Sequence, residues 1–379
     1  MMPINSTFRL SRLRSLISLS AAAVTASTPI FAIAQSAKWT VDARPSFVLG
    51  RTGDGTTAEF AFVNGATMLP GGNVMVSDRS EYSMLIVAPT GKVVKKFGRS
   101  GQGPGELTNA FFSYSCGKNV FIGNNAGRSI SVFALDGSFV RTSMFGVHFS
   151  KQGPYRTACN RNGVFVHYGW DNGKDRTPGV SYRSQVPVWA TPGDSSKGTL
   201  IATVKGSERW EYTIQPLGRE TRIAIGSDRV YVGEADGYEI KVLSLDGKPL
   251  PAVRKDAKPI AVTKQDIQED ADRLIAMMGE KYRKMVEKEN ASTPMPKTLP
   301  PYRELTVDND DNLWVRDYAR TGPDNVTWTV FSKNGNLLSE VLLPNALEVY
   351  EIGQDYILGR YIDENVGAPE VRSYRLIKQ

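Results

Sequence analysis

The sequence predicts an all-β protein, a six-bladed β-propeller closed by its own two termini. Short β-rich runs recur along the chain, and glycine turns separate them at a regular step. A period of about 45–55 residues with several strands in each unit is typical of propeller blades. A strand-like run near the N-terminus also completes the unit at the C-terminus, which predicts that the ring is closed.

Each unit consists of a β-rich run, a polar turn, a second run, a glycine turn and a third run. In the first unit these runs are Asn73–Asp78, Ser83–Val87 and Val93–Phe97. Their β-branched and aromatic enrichment indicates strands, and the Asp-Gly and Asn-Gly turns of later units indicate hairpins. The turn glycines are Gly91, Gly137, Gly193, Gly247 and Gly335. Blades one, two, four and five are therefore plain in the sequence, and blade three is a weaker repeat.

The last unit has no glycine turn and shows only three runs. These are Leu347–Ile352, Asp355–Tyr361 and Val371–Ile377. We expect the isolated run Trp39–Leu49 to become the fourth strand of this blade. Such pairing closes the ring and removes the exposed edges of an open array.

A helical insertion is predicted over residues 263–290. Its apolar residues keep helical spacing, and Thr263 is a suitable N-cap. The insertion is either a decoration that packs on one blade or a lid over one face of the ring.

The N-terminus of this 379-residue chain has the pattern of an export signal. Three arginines precede an apolar stretch, residues 1–34 contain no acid, and Ala32-Ile33-Ala34 is a typical cleavage sequence. We expect a signal peptide over 1–34 and a mature propeller over 35–379, periplasmic or secreted. A retained anchor is disfavoured because polar residues interrupt a stretch shorter than the roughly 20 residues of a span.

Composition excludes several partners. The formal net charge is +7, of which three charges lie in the signal segment, and basic runs with interleaved aromatic residues are absent from the sequence. We therefore expect no nucleic-acid partner. Nothing after residue 40 is apolar enough to span a membrane, and we expect a monomer.

Cys116 and Cys159 are the two cysteines of the chain, and they occupy similar places in successive repeats. In an oxidising compartment they pair across neighbouring blades. The alternative is two separately buried thiols.

The chain resembles the six-bladed propellers of the NHL-repeat type found in exported bacterial proteins. The motifs that carry the resemblance are Val76-Ser77-Asp78, the Phe97–Leu107 segment, Leu135-Asp136-Gly137, Leu245-Asp246-Gly247 and Leu313-Trp314-Val315. The family mostly has no assigned activity, so the resemblance implies the architecture more than the function. The glycine-rich segment Gly98–Gly105 is expected to connect blades one and two, because Pro104 removes a donor that a phosphate loop needs.

Four oxygen-bearing residues follow the second run of their repeats. They are Asp78, Asn124, Glu234 and Asp317, with Tyr168 and Arg360 in the same place in blades three and six. Equivalent positions in a ring converge on its axis, and carboxylate and amide oxygens suit a hard cation such as Ca²⁺. The six-bladed lactonase-like hydrolases use such a set in the central channel. The alternative is that each residue caps its own turn.

Arginine and aromatic residues lie beside those positions. They are Arg79, Arg128, Arg316 and Arg360, with Tyr82, Tyr168, Trp170 and Tyr318. They predict one ring face that holds an anionic or sugar-like ligand, since such residues often carry binding energy. The alternative is an ordinary solvated face. Two histidines in the whole chain argue against zinc.

Two functions follow. The leading one is an exported scaffold that binds a ligand or protein partner on one ring face. The other is a hydrolase or lyase with a hard divalent cation in the channel.

Overall fold

Six β-sheets, each built from antiparallel strands, form a six-bladed propeller in the computed structural model. The structure describes residues 38–50, 57–108, 112–124, 129–144, 156–169, 175–193, 195, 197–320, 324–362 and 368–378. The predicted signal peptide at 1–34 therefore lies outside the described residues. Six blades and a single helical insertion confirm the predicted fold class.

The strands follow one another in blade order. Two short strands come first, β1 (Thr40–Val41) and β2 (Phe47–Leu49). Blade one contains β3 (Val63–Met68), β4 (Val74–Asp78), β5 (Ser83–Val87) and β6 (Val93–Phe97). Blade two contains β7 (Phe112–Cys116), β8 (Asn119–Asn124), β9 (Ser129–Ala134) and β10 (Phe139–Met144). Blade three contains β11 (Arg156–Cys159), β12 (Val164–Tyr168), β13 (Gln185–Pro192) and β14 (Thr199–Lys205).

The second half of the ring repeats this plan. A small hairpin of β15 (Arg209–Trp210) and β16 (Thr213–Ile214) precedes it. Blade four contains β17 (Arg222–Ile225), β18 (Arg229–Gly233), β19 (Glu239–Ser244) and β20 (Pro249–Arg254). Blade five contains β21 (Tyr302–Val307), β22 (Leu313–Asp317), β23 (Asn325–Phe331) and β24 (Leu337–Pro344). Blade six contains β25 (Leu347–Ile352), β26 (Tyr356–Ile362) and β27 (Pro369–Ile377).

In blade one the middle strands are buried, whereas the outer strand is exposed. The two middle strands of blade one, β4 and β5, are buried at every position, whereas four of the five residues of the outer strand β6 are exposed. Middle strands are covered by neighbouring blades on both faces, so they are near-continuous apolar runs. The predicted turn glycines Gly91 and Gly335 have φ of +89° and +84°, which is a conformation that favours glycine.

The first strand of each blade lies innermost. These strands contact the first strands of the neighbouring blades, as β3 does with β7 and β25, and β17 does with β21. They surround the central channel, and the second strand of each blade lies behind them.

The N-terminal run closes the ring as predicted. Strands β1 and β2 both pair antiparallel with β27, which places Thr40 opposite Ile377 and Leu49 opposite Val371. On the channel side, Glu351 of blade six accepts hydrogen bonds from Thr67 Oγ1 at 2.6 Å and Met68 N at 2.9 Å. The first and last blades are therefore joined at both the outer and the inner strand.

The insertion forms two helices, α1 (Lys264–Met278) and α2 (Arg283–Ser292). Thr263 caps α1 as predicted, and Asp266 completes a capping box with it. Gly279, with φ of +103°, separates the two helices. Within the described ranges, neither helix is long and apolar enough to cross a membrane.

Candidate functional site

The central channel has a volume of about 900 Å³. It runs between two ends that differ in their side chains. At one end lie Phe62, Asn64, Arg79, Glu348 and Arg360, which we call the arginine mouth. At the other end lie the turns between first and second strands, including Cys159, Asn160, Ser227, Asp308 and Asp311, which we call the turn mouth.

Phe62 is the centre of the arginine mouth. The residue is 46% exposed although its side chain is large and apolar. The guanidinium of Arg79 lies 5.7 Å from the ring centroid and that of Arg360 lies 5.9 Å from it. Both distances are within the range of a cation–π contact. Blades one and six thus contribute one guanidinium each to the same aromatic ring.

Arg360 is fixed by its neighbours in blades six and one. It lies directly opposite Glu348 in the β25–β26 ladder and forms an ion pair with it. Its Nη1 donates to the carbonyl of Val63 at 2.9 Å, and Tyr350 donates to the same carbonyl at 3.2 Å. Burial first, and the Glu348 carboxylate second, raise the pKa of Tyr350, so its phenol remains a neutral donor.

Three polar atoms at the arginine mouth lack hydrogen-bond partners within the described part of the chain. Both amide atoms of Asn64 and the Nε of Arg360 are buried without a hydrogen bond to protein. Asn64 lies at an irregularity of the β3–β4 ladder, where Val63 pairs with Asp78 and Gly65 pairs with Ser77. Such an irregularity re-aims a side chain, and Asn64 lines the channel.

At the turn mouth, Asn160 and Asp311 have hydrogen-bond partners in the protein. Asn160 donates from Nδ2 to the Gly226 carbonyl at 2.9 Å and accepts from Val164 N at 2.9 Å. Asp311 accepts from Ser227 N at 2.9 Å, from the Ser227 hydroxyl and from Lys333 Nζ at 3.2 Å.

Asp308 and a disulfide complete the turn mouth. Asp308 is 2% exposed and accepts from four donors, among them Trp314 Nε1 at 3.0 Å and Asn312 N at 2.8 Å. Cys116 and Cys159 form the disulfide across blades two and three, with their Cα atoms 5.9 Å apart.

The three described carboxylates of the predicted cation set bind local partners. Asp78 accepts from Ala61 N and Ser80 N, both at 2.9 Å. Glu234 accepts from Lys205 N at 2.9 Å and pairs with Lys241 at 2.7 Å. Burial raises the pKa of Glu234, but the hydrogen bonds from the two lysines outweigh it and hold that pKa below the ordinary value.

Asp317 follows the same plan, accepting from Tyr238 Oη at 2.5 Å and pairing with Lys255 at 3.0 Å. A hard cation needs several oxygens at one point. In the described ranges no three acidic, histidine or cysteine side chains form such a group. These contacts match the capping interpretation at Asp78, Glu234 and Asp317, and a Ca²⁺ site stays a prediction.

The remaining predicted residues are dispersed. Arg316 and Tyr318 line a second cavity beside α1 rather than the channel. Tyr168 is 2% exposed and packs in the core between blades three and four, and Tyr82 packs beside the core between blades one and two. Arg128, Trp170 and the side chain of Asn124 lie outside the described residues. Of the described residues of the predicted ring face, Arg79 and Arg360 meet at Phe62, and Asp78 accepts from Phe62 N at 3.3 Å.

Phe62, Asn64 and Glu348 were not predicted from the sequence. One signal for Glu348 exists, because Glu304 and Arg316 form the same cross-strand pair in blade five, at the same sequence spacing. Phe62 and Asn64 carry no repeat signal, since they occur once, at the start of blade one.

Comparison with known proteins shows the fold. Neither the protein-family models nor the curated sequences contain a match. A member of the DUF4221 family from Bacteroides vulgatus has a TM-score of 0.53 at 10% identity, covering 90% of this chain and 99% of that one. A Bacteroides fragilis protein described as exported has a TM-score of 0.46 at 12% identity, covering 89% and 95%. A gluconolactonase from Xanthomonas campestris has a TM-score of 0.42 at 12% identity, covering 84% and 88%. At such identity the first likeness shows a shared propeller fold alone.

Proposed function

We propose that the protein is an exported propeller scaffold that binds a small organic anion at the arginine mouth. The observation that carries this proposal is a set of hydrogen-bond donors around one exposed aromatic ring. They are the guanidinium groups of Arg79 and Arg360, which lie 5.7 Å and 5.9 Å from the centroid of the Phe62 ring. Asn64, whose amide has no hydrogen-bond partner in the described part of the protein, lines the same channel. The predicted export signal and the resemblance to NHL-type propellers support a role outside the cytoplasm.

An oxyanion matches these donors chemically. Arg79 has no carboxylate partner in the described part of the chain, and Arg360 has one, Glu348. The guanidinium of Arg79 is therefore not neutralised by an ion pair, although the buried carboxylate of Asp78 lies nearby and accepts from Phe62 N at 3.3 Å. Guanidinium groups bind carboxylate, sulfate and phosphate with short charge-assisted hydrogen bonds. Phe62 supplies an apolar surface for the carbon skeleton of the ligand.

The channel has room for such a molecule. Its volume of about 900 Å³ lies within the roughly 300–1,000 Å³ of typical ligand sites. A bulky polymer would not enter, so we favour a small molecule over a protein partner.

Calorimetric titration of the purified protein with citrate, D-glucuronate and glycerol phosphate tests this proposal. We expect at least one of them to bind, and Arg79→Gln to weaken it at least about tenfold. The reason is that a hydrogen bond to a charged group contributes about 1.5–3 kcal/mol, and about 1.4 kcal/mol is tenfold in affinity.

Arg254→Gln is the matched control. Arg254 lies on β20, the outermost strand of blade four, and pairs with Glu239 at 2.6 Å. Three strands of the blade separate it from the channel. Its substitution should leave the affinity unchanged. The proposal fails if none of the three anions binds, or if Arg79→Gln binds them as tightly as the unsubstituted protein.

A further inference from the structure

A second cavity, of about 220 Å³, lies between α1 and blade five. The first turn of α1 is bonded to the chain of blade five at this cavity, because the buried Asp266 accepts from Arg320 Nε at 2.9 Å. Arg320 also donates to the carbonyl of Ala261 at 2.9 Å. The insertion is thus fixed over this part of the ring, so the cavity has a defined shape.

Several charged groups around the cavity already have partners. Arg316 pairs with Glu304 at 2.6 Å and donates to Asn345 Oδ1 at 2.7 Å. Asp270 pairs with Arg273 at 2.5 Å. These pairs neutralise one another and leave little net charge for a ligand.

Two groups of opposite charge remain without an ion pair in the described part of the chain. The guanidinium of Arg303 lies 4.4 Å from the ring centroid of Tyr318 and donates to its hydroxyl at 3.0 Å. Glu269 accepts a single side-chain hydrogen bond, from Gln265 Nε2 at 2.8 Å. Arg303 and Glu269 line the same cavity, one from blade five and the other from α1.

We propose that this cavity binds the zwitterion of a free α-amino acid. The carboxylate of the ligand accepts from Arg303, whose planar fork suits a carboxylate, and its ammonium donates to Glu269. Leu217 and Val326 also line the cavity and offer an apolar contact for the ligand side chain.

Size and charge both favour an amino acid over larger ligands. A volume of about 220 Å³ is below the roughly 300 Å³ where sites for drug-sized molecules begin. An anion without an ammonium group would leave Glu269 unpaired beside it, and a cation without a carboxylate would leave Arg303 unpaired. This inference does not depend on the function proposed for the channel.

Calorimetric titration of the purified protein with the standard L-amino acids tests the inference. We expect at least one to bind, and its N-acetyl and carboxamide derivatives each to bind at least about tenfold more weakly, because each lacks one charge. Arg303→Gln and Glu269→Gln should each weaken binding by a similar factor. Arg303→Lys, which keeps the charge but loses the fork, should give an intermediate affinity.

Two controls separate this site from structural damage and from the channel. Glu287→Gln removes an exposed acid on α2, and Arg79→Gln removes the arginine of the channel, and both should leave amino-acid binding unchanged. Circular dichroism should show that every variant is folded. The inference is overturned if no amino acid binds, if the N-acetyl derivative binds as well as the free ligand, or if both Arg303→Gln and Glu269→Gln retain full affinity.

Discussion

The two mouths of the channel are lined by the same six blades but use their polar groups differently. At the turn mouth, Asn160, Asp308 and Asp311 are bonded to backbone and side-chain donors of their own and neighbouring turns. At the arginine mouth, the amide of Asn64 and the Nε of Arg360 are buried without such bonds. A buried polar group with a hydrogen-bond partner stabilises a fold. A buried polar group without one lowers the stability unless a ligand supplies the hydrogen bond. The difference distinguishes a structural end from the end where we propose that a ligand binds, which we call the binding end.

The strongest test of the structural end is Asp308→Ala. The substitution leaves the buried Trp314 Nε1 and three other donors without their acceptor, so we expect a loss of about 3–4 kcal/mol in the free energy of unfolding. Denaturant titration measures it, with Asp256→Ala at an exposed position as control. A loss no larger than that of the control would mean that the turn mouth is not a structural cluster.

Removing the disulfide should have the next largest effect. Cys116 and Cys159 are separated by 43 residues, and closing a loop of that size stabilises a protein by about 2–4 kcal/mol. We expect Cys116→Ser with Cys159→Ser to lower the free energy of unfolding by that amount and to leave anion affinity unchanged. A loss of anion binding with no loss of stability would reverse the roles assigned to the two mouths.

Substitutions of Asn64 at the arginine mouth and Asn160 at the turn mouth form a matched pair. Asn64→Leu keeps the side-chain size and removes unpartnered polar atoms, so stability should change by less than about 1 kcal/mol while anion affinity falls about tenfold. Asn160→Leu removes bonded atoms, so stability should fall while affinity is retained. Unfolding and calorimetric titrations of both variants check this crossed pattern, and the same response from both would contradict it.

The smallest expected effect is a pH dependence at Asp311. Burial raises the pKa of this carboxyl, but the hydrogen bonds from Ser227 and Lys333 outweigh it and lower the pKa below the ordinary value of 3.8. A lowered folded-state pKa contributes stability above the unfolded value, and that contribution is lost as the pH falls through the folded value. Between about pH 5 and pH 2, Asp311→Asn should therefore lose less stability than the unsubstituted protein. If the stabilities of Asp311→Asn and the unsubstituted protein show the same pH dependence in thermal unfolding, Asp311 does not contribute to the loss of stability in acid.

The sequence predicted the blades well because their middle strands are buried on both faces. Runs such as Val74–Asp78 and Ser83–Val87 are apolar enough to be recognised, and the glycine turns mark the hairpins. In blades one to five the innermost strands were not predicted, because they line a polar channel and show little apolar alternation, whereas the innermost strand of blade six was predicted as Leu347–Ile352. Phe112–Cys116 and Arg156–Cys159 are examples with little apolar alternation.

Asp78, Glu234 and Asp317 bind partners close by for a geometric reason. They lie at the ends of second strands, one strand spacing of about 4.8 Å behind the innermost strand. The short side chains of Asp78 and Asp317 therefore bond locally, whereas the longer Arg79 and Arg360 reach the channel. The sequence does not predict that Arg316 lies in a separate cavity beside the insertion.

The most direct test of the binding end is a titration followed by nitrogen-15 NMR with the tightest-binding anion. We predict that the side-chain amide signal of Asn64 and the Nε signals of Arg79 and Arg360 shift on binding, while the amide signal of Asn160 at the other mouth does not. Shifts confined to Asn160 and its neighbours, or no shift at Asn64 and Arg79 at saturating ligand, would contradict the assignment of the arginine mouth as the binding site.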